Sequence, residues 1–157
     1  MDEVFRRYAD ALHPAFQRLI SMRPVTISTL PTDAPLQGIY LFSEFGQHLY
    51  VGRTSRQSLR KRLQQHSVDS AQHNQAVFAY KIACRETGRL NAGYSTEDSR
   101  KARCADPTFA EAFKQAKRRM RRMELRYVAE SDPLRQTLLE IYVAVVLKTP
   151  YNDFDTH

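Results

Sequence analysis

The residue in this sequence that most needs a chemical explanation is Glu140. It sits in LLEIYVAVVL (138–147), where nine of ten residues are apolar and Glu140 is the exception. A helix apolar nearly all round is buried nearly all round. A carboxylate there must be paired, protonated, metal-bound or aimed at a solvent gap. Its bland reading is a Glu on the one exposed stripe; its functional reading is a metal-binding or acid/base carboxylate at the floor of a cleft. Two clusters of the opposite sign stand elsewhere. Arg53, Arg56, Arg60, Lys61 and Arg62 hold no acid among them, while Lys114, Lys117, Arg118, Arg119, Arg121, Arg122 and Arg126 enclose Glu124 alone. The clusters carry +5 and +6 in a chain whose net charge is +7, so the remainder is acidic on balance. One basic helix is most often a solvated face. Two such clusters in 157 residues point to a polyanionic partner, nucleic acid first.

The thiols carry less. Cys84 and Cys104 can be grouped on paper with His66 and His73 as a zinc set, but the spacings match no finger. Two packed or idle thiols are the better reading. The N-terminus, MDEVFRRYADALHP, has no apolar stretch behind a basic start and so is not a secretory signal. No apolar run approaches the roughly 18 residues of a spanning helix. A cytoplasmic protein with reduced cysteines and no membrane partner is therefore expected. With 42% apolar and 26% charged residues, the composition excludes disorder as a description of the whole.

The positioning elements can be read from periodicity and punctuation. Val4, Phe5, Tyr8, Leu12, Phe16 and Leu19 recur at three and four, predicting a helix over 2–21 that Pro14 would split. Residues 22–35 hold three prolines and read as a connector. LQGIYLF (36–42) and QHLYVG (47–52) read as two short strands joined at Phe45-Gly46 into a hairpin. A helix over 57–66 follows, with Ser58 or Ser55 as its N-cap. QAVFAYKIACRET (75–87) is helix-like and ends at Gly88; residues 88–105 read as an irregular surface loop. Asp106-Pro107-Thr108 opens a helix running to about Met123, with Thr108 and Glu111 as a second capping box. ELRYVAE (124–130) alternates like a third strand, and Ser131-Asp132-Pro133 opens a last helix to about Leu147. The fold class is therefore α+β: a small three-stranded sheet, antiparallel or mixed, flanked by helices. Two segments are expected, a helical extension and connector (1–35) and a catalytic or binding domain (36–157).

Gly38-Ile39-Tyr40, followed by Tyr50-Val51-Gly52 on the partner strand, resembles the signature of the GIY-YIG nuclease family. The nine-residue gap is a little shorter than is usual in that family, and Val51 replaces its middle Ile. The next helix supplies Arg62 and, four positions on, His66, which one helical turn puts on one face. An Arg here, often followed by such a His, recurs in the family. Glu140 stands where the family has its metal-binding Glu, and Asn152, in Pro150-Tyr151-Asn152, where it has its terminal Asn. Each triplet alone would be weak; all of these in order make a specific pattern. The resemblance covers about residues 36–153 and leaves out the first 35. The surplus over the family's core lies mainly between His66 and Glu124.

The resemblance implies a DNA endonuclease with Tyr40, Tyr50, Arg62, His66, Glu140 and Asn152 as catalytic residues. Arg62 would grip phosphate oxygens through its planar fork. Glu140 would hold Mg²⁺, or Mn²⁺ in its place, and one carboxylate implies one metal. The family nominates Tyr40 as base, with Tyr50 beside it; but a free Tyr titrates near about 10, and His66 is the chemically easier base or shuttle. Arg53, Arg56, Lys114, Lys117, Arg118 and Arg121 are the expected nucleic-acid contacts. RNA is not separated from DNA by this chemistry, nor a monomer from a homodimer, nor restriction or defence from structure-selective repair. The alternative class is a catalytically inactive nucleic-acid-binding module of the same fold.

Overall fold

The computed structural model describes residues 1–54, 56–90 and 96–154. Alternating side chains build β1 (Gly38–Glu44) and β2 (Gln47–Arg53) into the expected hairpin. Its turn residues, Phe45 and Gly46, lie at φ of 52° and 77°, the two positive values that match the twist of paired strands. β3 (Glu124–Ala129) pairs with the other side of β1, giving the order β2-β1-β3 with every pairing antiparallel. The register slips between Phe42 and Ser43, so Leu49 is the extra residue of a bulge in β2.

Two compact units divide the chain: Met1–Arg62 with the stretch from Met123 onward, and Leu63–Arg122. The sheet belongs to the first. There α1 (Glu3–Ser21) and α6 (Pro133–Leu147) join it in one core, where Ala15, Phe16, Leu19, Leu139, Val143 and Ala144 pack with Ile39, Leu41, Val51 and Val128. Residues 1–35 are therefore not set apart from the sheet as an extension: the buried face of α1 is part of the core. Pro14 does not split α1, which runs through it with Pro14 on the exposed side. The connector is tied down by backbone bonds between Val25 and Leu125 and by Arg60, whose guanidinium donates to the carbonyls of Leu30 and Pro31.

α6 corrects a second expectation. Asp132 caps it and Pro133 opens it as read, but it is not buried all round: Leu134, Ile141, Val145 and Val146 are exposed. Periodicity could not separate the core stripe from the outer one because both are apolar. Among the described residues no helix is long and apolar enough to cross a membrane.

α2 (Leu59–Ser67) runs from the first unit into the second, with Ser58 Oγ accepting from Lys61 N at 3.2 Å. Ser55, the other candidate cap, lies outside the described residues. The second unit further holds α3 (Val77–Glu86), a 3₁₀ turn (Thr96–Asp98), α4 (Arg100–Ala105) and α5 (Pro107–Met120). Part of the expected 88–105 loop is thus helical, capped by Ser99; residues 91–95 of it lie outside the described residues. α4 escaped notice because RKARCA has no apolar period. Asp106 alone caps α5, accepting from Thr108 N and Phe109 N, and the helix ends at Met120 rather than near Met123. The unit's interior is aromatic, with Tyr80 against Phe109 and Phe113 at 5.3 and 6.2 Å. Buried Arg103 staples it, reaching both carboxylate oxygens of Asp98 at 2.7 Å, the Arg89 carbonyl at 2.8 Å and Cys84 Sγ at 3.7 Å. Cys84 is buried and Cys104 half-buried, both as free thiols.

Candidate active site

Strand alternation builds the site. Tyr40 pairs with Gly52 and Phe42 with Tyr50, so Tyr40, Phe42 and Tyr50 share one face of the hairpin. Both glycines of the two triplets are required by contact. A Cβ on Gly52 would come within 2.5 Å of the Tyr40 hydroxyl, and one on Gly38 within 2.1 Å of the Val128 carbonyl oxygen. The absent side chain at 52 is therefore the space into which Tyr40 fits. Thr54, fully buried, closes the hairpin's open end: its Oγ1 accepts from Gly38 N at 2.9 Å, and its own N–H donates to the Gly38 carbonyl.

A cleft of about 430 Å³ opens at this end of the first unit, lined by Tyr40, Tyr50, Arg53, Arg56, Gln57, Arg62 and Glu140. The hairpin, the start of α2 and the middle of α6 converge on it. Four of the six residues expected to be catalytic are thus gathered in one cleft, together with two of the expected nucleic-acid contacts. Gln57 was not anticipated, and nothing in its type or spacing marks it. Among the described residues, Glu140 is the one carboxylate of that lining.

Burial sets the protonation of the tyrosines. The Tyr40 phenol is fully buried and pushed up to about 12; desolvation outweighs the Arg62 guanidinium, which lies beside it, hydrogen-bonds it and pulls the other way. Tyr50 is raised further, by burial first and then by Tyr40 and Glu140. Both phenols therefore keep their protons at neutral pH, and the Tyr40 oxygen accepts from the Arg62 guanidinium. Glu140 meets the last residue of β2: Arg53 Nε donates to Glu140 Oε2 at 2.9 Å. Arg53 shares a sheet face with Val51 and pairs with Ile39, so it points to the side on which α6 packs.

The other expected site residues are not in that lining. Asn152 spends its amide on the backbone: Oδ1 accepts from Val51 N and Nδ2 donates to the Val51 carbonyl, each at 2.8 Å, and Thr149 Oγ1 donates to Oδ1. It mimics a neighbouring strand at the edge of β2, between Tyr50 and Gly52, and its amide is engaged there by the backbone. His66, one turn beyond Arg62 on α2, belongs to the second unit and is fully buried. The α5 cations belong to that unit too. Lys117 is 4% exposed, donates to the carbonyls of Asp69 and Ala71, and lies 4.4 Å from the Phe113 ring centroid. Its burial lowers the ammonium pKa from the usual value. Arg121 and Arg118 face the Asp69 carboxylate. Lys117 is therefore a structural cation, not a surface contact, while Lys114 is exposed.

A single half-buried carboxylate suits a hard divalent ion that keeps its waters and takes further oxygens from substrate. Glu140 fits that donor chemistry. Among the described residues no group of three or more His, Cys, Asp or Glu could cage an ion.

Fold and cleft together define a class: an α+β protein with a small antiparallel sheet whose hairpin carries an arginine-lined, single-carboxylate cleft. Compared with protein families, with curated proteins and with solved structures, the chain matches none.

Proposed function

We propose that this chain is a Mg²⁺-dependent DNA endonuclease of the GIY-YIG type. One observation carries the reading: Tyr40, Tyr50, Arg62 and Glu140, from three separated stretches of sequence, line a single cleft. Hydrolysis of a phosphodiester requires that the phosphate be held, its charge countered and a water delivered in line. Arg62 offers a planar fork to the phosphate oxygens, and Arg53 and Arg56 extend the positive lining along a backbone. The Tyr40 and Tyr50 hydroxyls, protonated at rest, donate hydrogen bonds to phosphate or water. Mg²⁺ on Glu140 would supply positive charge at the leaving oxygen.

The test is nicking of supercoiled plasmid at low salt with Mg²⁺, beside EDTA and Glu140→Ala controls. Cutting is expected in wild type and in neither control, and the fragment pattern separates site-specific restriction from structure-selective action. A second reading, a non-catalytic nucleic-acid-binding module, is favoured by the two protonated tyrosines and by the cation already seated on Glu140. Wild type that binds duplex, branched and single-stranded DNA without cutting any of them would establish that second reading and end the first.

A further inference from the structure

We propose that Arg53 guards Glu140, so that a divalent cation enters the cleft tightly only after a nucleic-acid phosphate has drawn Arg53 away. The inference rests on the reading of the cleft as a metal-dependent nuclease site.

Arg53 Nε occupies one oxygen of the carboxylate that the cation needs, at 2.9 Å. The contact is built to be broken. The side chains of Arg53 and Glu140 are 36% and 20% exposed, and an ion pair so open to water is held weakly. Arg53 is also the terminal residue of β2, so its side chain can turn without disturbing the ladder behind it. The surrounding charge pushes the same way. Arg53, Arg56 and Arg62 bring three guanidinium groups to the cleft that Glu140 lines, and a divalent ion entering alone adds to an excess of positive charge. A phosphodiester backbone reverses that balance. It offers oxygens to the guanidinium groups, which pair with phosphate at least as well as with a carboxylate. The Oε2 atom that Arg53 held is then open to the cation, and the phosphate contributes ligands of its own. Cation and DNA must therefore raise each other's affinity by the same factor. With a merely structural ion pair, phosphate ligands alone would set the gain from DNA, and that gain would be the same with Arg53 or without it.

The measurement is Mn²⁺ binding by electron paramagnetic resonance of the free ion at low salt, with and without a phosphorothioate duplex of mixed sequence. Glu140→Gln serves as the blank for ions held elsewhere. In wild type the Glu140-dependent affinity is expected to rise about tenfold or more with the duplex, within the usual range of coupling between sites. Arg53→Gln is expected to bind Mn²⁺ about fivefold tighter without DNA, as the loss of one partly exposed ion pair allows, and to gain correspondingly less from the duplex. Equal wild-type affinity with and without duplex overturns the inference, and needs no variant to fold. So does an Arg53→Gln protein whose gain from the duplex equals that of wild type. If wild type nonetheless nicks plasmid with Mg²⁺ and Glu140→Ala does not, the nuclease reading survives that failure. If no protein shows Glu140-dependent Mn²⁺ binding in either condition, the metal site and the guard fall together.

Discussion

Arg53, Arg56 and Arg62 line a cleft with a single carboxylate; along and just beyond α5, four cations, Lys117, Arg118, Arg119 and Arg121, meet partners of their own unit. In sequence the two clusters look alike. In the structure they differ by what each cation faces. Lys117 is consumed by two carbonyls and an aromatic ring, Arg118 and Arg121 share Asp69, and Arg119 meets Glu86. The cleft arginines outnumber the charge that opposes them. The same residue types therefore tie the second unit together in one place and line an open cleft beside one carboxylate in the other, and the cleft is the concave seat of the two.

The sharpest way to break this comparison is at Arg62. Arg62→Ala is expected to lower the cleavage rate by about 10²- to 10³-fold, the scale for removing one aligned charge-stabilising donor. Arg62→Lys should recover little, because the ammonium lacks the planar fork. Single-turnover cleavage at saturating enzyme reads both, and an Arg62→Ala protein that cuts at the wild-type rate would remove the cleft from the mechanism.

The next effect is on stability at alkaline pH. Burial raises the Tyr40 phenol from 10.0 to about 12. A raised folded-state value means that its contribution is complete below about pH 10 and is lost as pH rises through about 12. Wild type should thus lose about 2 to 3 kcal/mol across that window from this residue. Tyr40→Phe should lose correspondingly less, while Tyr50, shifted in the same direction, keeps some pH dependence in the variant. Urea melts from pH 9 to 12 check this, and equal slopes for both proteins would contradict the burial argument.

The α5 side of the comparison is sharpened by two lysines one helical turn apart. Lys117→Ala strips two carbonyls of their donor and should cost about 1 to 3 kcal/mol in a urea melt. Lys114→Ala, at an exposed position, should shift stability by less than about 0.5 kcal/mol. If α5 meets DNA at all, Lys114→Ala reduces the salt slope of binding by about one unit and Lys117→Ala does not. A reversed pair of results would show that the buried and exposed lysines have been assigned the wrong way round.

Much of this was legible before the fold was known. Alternation and the Phe45-Gly46 turn located the hairpin, Asp106-Pro107 and Asp132-Pro133 opened their helices, and the isolated Glu140 stood out from its apolar run. The surplus between His66 and Glu124 corresponds closely to the second compact unit. Local chemistry suffices for such features, since caps, turns and strand faces depend on neighbours a few residues away. The failures have separate causes. α4 has no apolar period to announce it, the outer stripe of α6 is as apolar as its core stripe, and the partners of α1 lie on β1, β2, β3 and α6, beyond any local spacing.

By itself the sequence determined most of the elements, the sign of the charge, and the set of side chains from which a site could be made. Tertiary structure alone decided which of them meet. It put Arg53 on Glu140 across 87 positions, spent the Asn152 amide on the Val51 backbone across 101, and buried Lys117 on carbonyls 46 and 48 positions away. Those pairings follow from packing a sheet and helices into closed cores. The free energy of such packing is non-directional along the chain, so it leaves no trace in local spacing.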